Sequence, residues 1–505
     1  VLEQQLKCVA PPGGDHVQQL TGLDAAFLAM ETRTVFGHVG SVCVVDPSTA
    51  SEPFTLERFT RVVESRLPLV PPLRRRLVDV PLGLDQPYWI EDPDFDIEFH
   101  VRELALPSPG SDRQLAEQAA RLHARPLDRS RPLWEIYLIF GLQGGRAAIY
   151  SKVHHAAIDG VSGNDILAAL LDLSPEGRKL ADPPPRRTER QPGAVELLAR
   201  SAVSLTRHPL RAVRLSVSLL RSAPSLVASP VLARLPLVEQ LLGRDGDAVL
   251  SQPGLRAPRT PFNRSITQHR RWGFCGLSLS EVKRVKNALA ITVNDVVMAL
   301  CAGALRRWLA DRDALPDGPL IAAVPVSVRT QEQEGALGNR VSTMLAVLPT
   351  QLADPGERLR VVHEAMRAAK EQHDALPANL LADVTQFALP ALAGQAARMA
   401  ARLRLVERAS LFNLIISNVP GPNVPLYYAG AELLAYYPLS AITDGQGLNI
   451  TAMSYRDTLF FGVIACRELV PDVDRLTAYL EEELRVLTQS IDKAATPRAR
   501  PRARR

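Results

Sequence analysis

The run Arg146-Ala147-Ala148-Ile149-Tyr150-Ser151-Lys152-Val153 reads as a buried strand, and it ends in His154-His155-Ala156-Ala157-Ile158-Asp159-Gly160. No other stretch limits the fold as tightly. An apolar strand must deliver two imidazoles at its carboxyl end and then turn through Asp-Gly, and α/β folds place their chemistry at such ends. Ser162, followed three residues on by Asp165 and then by Ile166 and Leu167, reads as a capping box opening an apolar helix. Side chains alternate along a strand, so His154 and His155 point to opposite faces if the strand persists, and only one can meet a given cavity. Periodicity does not say which. A histidine pair at a strand end also suits a structural role, and Asp-Gly is itself a common turn.

Competing chemistries lack their residues. There is no GxSxG elbow, no phosphate loop of the G-x-x-x-x-G-K-[ST] type and no GxGxxG after a strand; Gly445-Gln446-Gly447 is a glycine pair in a loop. Adjacent histidines diverge and no third ligand follows at a helical spacing, so no metal is expected. Cys8, Cys43, Cys275, Cys301 and Cys466 are scattered without a CxxC, which points to a reducing compartment. The net charge of +5 resides in Arg498, Arg500, Arg502, Arg504 and Arg505, so the body is near neutral. With aromatic residues at only 5%, neither a basic groove nor stacking platforms for nucleic acid are expected. No apolar run reaches the roughly 18 residues that span a membrane, and no secretory signal pattern opens the chain. A cytoplasmic protein, soluble or peripheral, is the expectation.

At 505 residues two domains are expected. Residues 1–18 read as a flexible N-terminus, 19–182 as a first domain carrying the histidines, 183–258 as a Pro/Arg-rich connector, 259–488 as a second domain and 489–505 as a basic tail. Within the connector, apolar residues recur at helical spacing between Ala194 and Leu220, punctuated by Arg200, Arg207, Arg211 and Arg214. Such a helix can lie on an anionic membrane or pack on the protein's own surface. Helices are expected at Asp24–Met30, Glu57–Leu67, Asp112–Ala124, Ser280–Leu289 (capped by Ser280), from Thr292 with Asp295 at the third helical position, and at Val473–Leu487. Strands are expected at Val39–Val45, Leu320–Val328, Ser342–Leu348, Asn413–Asn418, Asn449–Tyr455 and Thr458–Ile464, with Trp89–His100 extended and Leu133–Leu142 forming a hairpin with Arg146–His154. The mixture implies two α/β or α+β domains.

Further motifs give the chain a resemblance. Leu20-Thr21-Gly22-Leu23-Asp24-Ala25-Ala26-Phe27, Pro72-Leu73-Arg74-Arg75-Arg76-Leu77, Arg131-Pro132-Leu133-Trp134-Glu135, Thr292-Val293-Asn294-Asp295-Val296-Val297, Pro325-Val326-Ser327-Val328-Arg329, Gly338-Asn339-Arg340-Val341-Ser342, Asn413 to Pro422 and Gly445 to Ile450 accompany the histidine motif. Together they resemble the bacterial wax ester synthase/acyl-CoA:diacylglycerol acyltransferase family, in its actinobacterial triacylglycerol synthase branch. HHxxxDG alone is shared with peptide-synthetase condensation domains, and the later motifs make the resemblance selective.

The resemblance implies two chloramphenicol-acetyltransferase-like α/β halves with a tunnel at their interface. It also implies triacylglycerol synthesis from long-chain acyl-CoA and diacylglycerol, with acyl-CoA as co-substrate and no cofactor. His155 would be the general base, His154 its support, Asp159 an orienting residue with Arg329 as a partner, and Gly160 a position where a side chain would intrude. Asn294 and Asp295 would hold the acceptor or polarise the carbonyl, or simply cap a helix; Arg329, Ser417, Asn418 and Gly421 would line the substrate. Leu376 to Leu405 would wall the tunnel or form ordinary core. Alternatives are a wax ester synthase, an acyltransferase to another lipid alcohol, a condensation domain, and a non-catalytic lipid-binding or lipid-droplet protein. A membrane face or droplet surface is the expected meeting place with the substrates.

Overall fold

The computed structural model describes residues 17–81, 85–158, 169–178, 180, 192–200, 257–327, 341–374 and 411–495. The first part runs β1 (Gln18–Gln19), α1 (Gly22–Met30), β2 (His38–Asp46), α2 (Leu56–Arg66), β3 (Arg75–Val78), β4 (Tyr88–Glu91), β5 (Val101–Ala105), α3 (Asp112–His123), β6 (Trp134–Phe140) and β7 (Ala147–His154). The second runs β8 (Arg270–Ser278), α4 (Leu279–Leu289), α5 (Val293–Ala310), β9 (Leu320–Ser327), β10 (Val341–Leu348), α6 (Pro355–Asp374), β11 (Leu414–Val419), β12 (Tyr427–Tyr428), β13 (Ala431–Leu439), β14 (Leu448–Tyr455), β15 (Thr458–Cys466) and α7 (Val473–Ala495).

Two six-stranded sheets form the frame, with strand orders β12-β13-β2-β7-β6-β5 and β10-β9-β11-β14-β15-β8; β1, β4 and β3 make a small third sheet. The expected hairpin is present, with Trp134 opposite Val153 across β6 and β7. β2 is apolar on both faces, Val42, Cys43, Val44 and Val45 all being buried. Such a strand is unsuited to a sheet edge, where its backbone would stay unpaired. β13 supplies the missing partner from the second part of the chain, running from Glu432 opposite Asp46 to Leu439 opposite Gly40. The apolar core therefore crosses between the halves: Trp272, Tyr455, Phe460 and Ile464 join Val42, Phe59, Leu138 and Tyr150 in one cluster. Gly462 permits this closeness, since a Cβ there would lie 1.8 Å from the Pro438 carbonyl oxygen.

Local rules explain most elements. α3 opens on a capping box of Ser111 and Gln114, and α5 on one of Thr292 and Asp295. α5 is buried nearly all round, as its apolar sequence requires. Three expectations need correction. The cap of α4 is Ser278, whose side chain accepts the Glu281 N–H, and Ser280 lies inside the helix. The segment expected to be extended from Trp89 to His100 instead has strand β4, then a helical turn Ile97–His100 capped by Asp96. Finally, α7 continues to Ala495. Of the amphipathic stretch, 194–200 is helical and Leu197 is buried beside Val78, Val80 and Ile90; the remainder lies outside the described residues, as does Leu376 to Leu405.

α5, α6 and α7 are locked by a buried charge. Glu483 on α7 pairs with Arg358 on α6, and with Arg307 Nε on α5 at 2.8 Å. Gly303 on α5 makes the space, because a Cβ there would sit 2.0 Å from Glu483 Oε2. Glu483→Ala leaves Arg358 buried without its carboxylate and is expected to lose roughly 3–5 kcal/mol in urea unfolding. A loss below about 1 kcal/mol, the range of exposed pairs, would contradict this account.

Candidate active site

β7 stops at His154 and the chain turns at once into a short 3-10 segment, His155–Ile158. That break gives the two rings different surroundings. His154 is fully buried opposite His38 of β2. Its Nδ1 accepts the Ala156 N–H at 3.1 Å, which leaves the proton on Nε2, 3.1 Å from Glu31 Oε1. The same carboxylate oxygen accepts the Gly37 N–H at 2.8 Å, and Glu31 Oε2 accepts from Arg129 Nε at 3.2 Å and Nη2 at 2.7 Å. Burial pushes the Glu31 carboxyl up, but His154, the Gly37 N–H and Arg129 outweigh it and bring the group down to about 2. Glu31 therefore stays ionised and aims His154.

His155 is held otherwise. Its backbone N–H donates to the Gly37 carbonyl at 2.8 Å, and its ring stacks on Phe27 with centroids 4.4 Å apart and planes 16° from parallel. Burial, helped by the neighbouring His154, pulls its pKa down to about 4. The imidazole is thus neutral at physiological pH and able to take a proton. Gly37 serves both rings, and it must be glycine, because a Cβ would lie 2.6 Å from His154 Nε2.

The second half contributes a separate polar group. Asp295 Oδ2 accepts the Thr292 N–H at 2.9 Å and lies 2.9 Å from His363 Nδ1, while Asp295 N–H donates to Thr292 Oγ at 3.1 Å. Asp295 is buried and spent on cap and histidine. Beside it, Asn294 Oδ1 accepts from Asn418 Nδ2 at 3.3 Å, so the structure brings these two expected site residues together. Ser417 precedes Asn418 on β11 and is partly buried. Gly421 donates its N–H to Ser454 Oγ at 3.0 Å, and a Cβ there would lie 2.0 Å from the Ser454 carbonyl oxygen. That glycine accommodates backbone crowding. Asp159, Gly160 and Arg329 lie outside the described residues. Among the described residues no group of three or more His, Cys, Asp or Glu side chains converges as a metal-ligand set.

Glu31, Gly37 and Arg129 escaped the sequence reading, and Phe27 stood there only as the end of the first motif, without a role. Glu31 closes α1 and Gly37 precedes β2, a short polar connection without a motif of its own. Only the pairing of β2 with β7, His38 opposite His154, shows where that connection goes.

A two-sheet α/β frame with a histidine motif ending a central strand defines a class, the acyltransferases and condensation domains of chloramphenicol-acetyltransferase-like fold. Within it, this chain belongs to the wax ester synthase/diacylglycerol acyltransferase family, matching its catalytic domain over residues 20–297 and its C-terminal domain over 337–488. It is therefore an acyltransferase. It is 38% identical over 472 residues to the Mycobacterium tuberculosis protein named probable diacylglycerol O-acyltransferase tgs2, covering 93% of this chain and 98% of that one. It is 32% identical over 478 residues to the O-acyltransferase WSD of Acinetobacter baylyi, covering 94% and 98%. The solved wax ester synthase/diacylglycerol acyltransferase of Marinobacter aquaeolei superposes with a TM-score of 0.65 at 31% identity, covering 94% of this chain and all of that one. The starter condensation domain of rhizomide synthetase shares the fold, with a TM-score of 0.53 at 15% identity, covering 95% and 96%.

Between its ordinary value of 6.5 and about 4, folded His155 binds fewer protons than unfolded His155. Its contribution to stability is therefore present above pH 6.5 and lost as pH falls towards about 4. The melting temperature should fall on acidification through this window, and less steeply in His155→Ala. An identical slope in the variant would contradict the burial described for this ring.

Proposed function

We propose that this chain transfers a long-chain acyl group from acyl-CoA to the free hydroxyl of diacylglycerol, forming triacylglycerol, with His155 as the general base. The observation that carries the reading is a partly buried, neutral imidazole at the strand end, oriented through Gly37 and Phe27. The mycobacterial relative's name supports the acceptor. His155 takes the hydroxyl proton as that oxygen attacks the thioester carbonyl. The tetrahedral adduct collapses, the carbon–sulfur bond breaks, and the leaving thiolate recovers the proton from the imidazolium. No covalent enzyme intermediate and no cofactor enter this scheme. His154 and Glu31 act as supports, and Asp159 and Gly160 shape the following turn. Asn294 and Asn418 offer amide groups to the acceptor or to the carbonyl oxygen; Asp295 holds the helix start behind them, and Arg329, Ser417 and Gly421 border the substrate.

A fatty alcohol as acceptor, giving a wax ester, is a second reading favoured by the name of the Marinobacter structure. Diacylglycerol resides in lipid, so the proposed place of work is the cytoplasmic face of a membrane or a lipid droplet. No single helix among the described residues is long and apolar enough to cross a membrane. A protein that binds lipid without turning it over is the remaining reading.

Purified protein with oleoyl-CoA and either diolein or hexadecanol should release coenzyme A and form triolein in the first case. Wax ester alone would reassign the acceptor, and no thiol release with either would leave lipid binding. His155→Ala is expected to slow thiol release by roughly two to four orders of magnitude while the protein stays folded. Near-normal turnover in that variant would remove His155 from the role of base.

A further inference from the structure

Arg270, the first residue of β8, is buried, yet among the described residues its hydrogen bonds all go to backbone carbonyls. Nη1 donates to Thr267 O at 2.5 Å and His269 O at 3.3 Å, within its own half. Nη2 crosses to the first half and donates to Thr34 O at 2.6 Å. The guanidinium also lies 5.2 Å from the centroid of the buried Phe36 ring, which in turn stacks on His38 at 5.4 Å. Among the described residues no carboxylate forms an ion pair with Arg270, and burying a guanidinium in that way is unfavourable unless its donors are well used. Here the fork and the flat face are both occupied, a geometry that lysine cannot reproduce.

The place it grips is the loop that serves the histidines. Residues 31–37 begin with Glu31, which aims His154, and end with Gly37, whose carbonyl receives the His155 N–H. The loop is braced within itself: Thr32 Oγ accepts the N–H groups of Thr34 and Val35 at 3.2 and 3.1 Å, and Thr32 N–H donates to Val35 O at 3.0 Å. A displacement at Thr34 is therefore carried to both ends of the loop. The contact also belongs to a different element from every residue so far assigned to the base.

We propose that Arg270 is a positioning residue for acyl transfer: through the Thr34 carbonyl and the Phe36 ring it sets the loop bearing Glu31 and Gly37, and so ties the alignment of His155 to the seating of the second half of the chain. The inference rests on His155 being the base. It assigns to Arg270 no contact with substrate.

The test is steady-state thiol release from oleoyl-CoA with diolein or hexadecanol, whichever the wild type uses, below the melting temperature of every variant. Arg270→Met should lower kcat roughly 10- to 100-fold, the effect of a small misplacement of a reacting group. KM for oleoyl-CoA should stay within about twofold, as expected when ground-state binding is untouched. Arg270→Lys should fall between the two. Because Arg270 acts through the same loop as Glu31, Arg270→Met and Glu31→Gln combined should be little slower than the worse single variant. Arg358→Met, which loosens the helices of the second half away from the loop, should lower the melting temperature and leave kcat unchanged.

A kcat for Arg270→Met within about twofold of wild type, or losses that multiply with Glu31→Gln, would overturn the inference and reduce Arg270 to a staple. If Arg270→Met does not fold, Phe36→Leu, which removes the ring but leaves the carbonyls, carries the same cycle with the same two outcomes. A wild type that releases no coenzyme A with either acceptor overturns the functional reading itself, and this inference with it.

Discussion

Glu31 is a largely buried carboxylate that accepts from the Gly37 N–H and from two nitrogens of Arg129, with His154 Nε2 3.1 Å from one of its oxygens. Isolating such a charge from water is costly, and only a full set of donors makes it tolerable. Those donors also fix geometry. With Nε2 turned to Glu31 and Nδ1 accepting the Ala156 N–H, His154 has one tautomer and one ring orientation. The chain can then turn immediately after it, and that turn carries His155 against Phe27 instead of onto the opposite sheet face. One ring is committed to structure so that its neighbour can be neutral and directed.

The same economy of placement governs the frame. β2 is too apolar to be an edge, and β13 comes from the far end of the chain to cover it. Pro438 on that strand accepts from the Trp272 indole at 3.3 Å and leaves room opposite only for Gly462. His123, ending α3, reaches the Ser440 carbonyl at 3.1 Å just beyond. The halves share a strand, a core and, through Arg270, the loop behind the histidines.

Much of this was legible in the sequence where physics is local. The strand leading into His154, the hairpin partner β6, and the Thr292–Asp295 capping box announce themselves by alternation or by cap spacing. Competition between nearby caps misled at Ser280, because Ser278 offers the same hydroxyl two residues earlier and is the one that meets the Glu281 N–H. Non-local pairing was beyond reach. β13 is absent from the strands expected in the second half, and its partner is settled by what β2 would otherwise expose. Glu31 is invisible for the same reason, since a glutamate following a helix has no signature until β2 and β7 are known to pair. Of the two neighbours expected either to cap a helix or to meet substrate, Asn294 faces Asn418, whereas Asp295 is directed to Thr292 and His363.

The central claim is that acyl transfer uses an imidazole kept uncharged by its surroundings, and the pH dependence of kcat for thiol release tests it most directly. With His155 titrating at about 4, the rate should be flat from about pH 8 down to about pH 5. A decline on acidification with a midpoint near the ordinary histidine value of 6.5 would show a solvated ring, and would contradict the account.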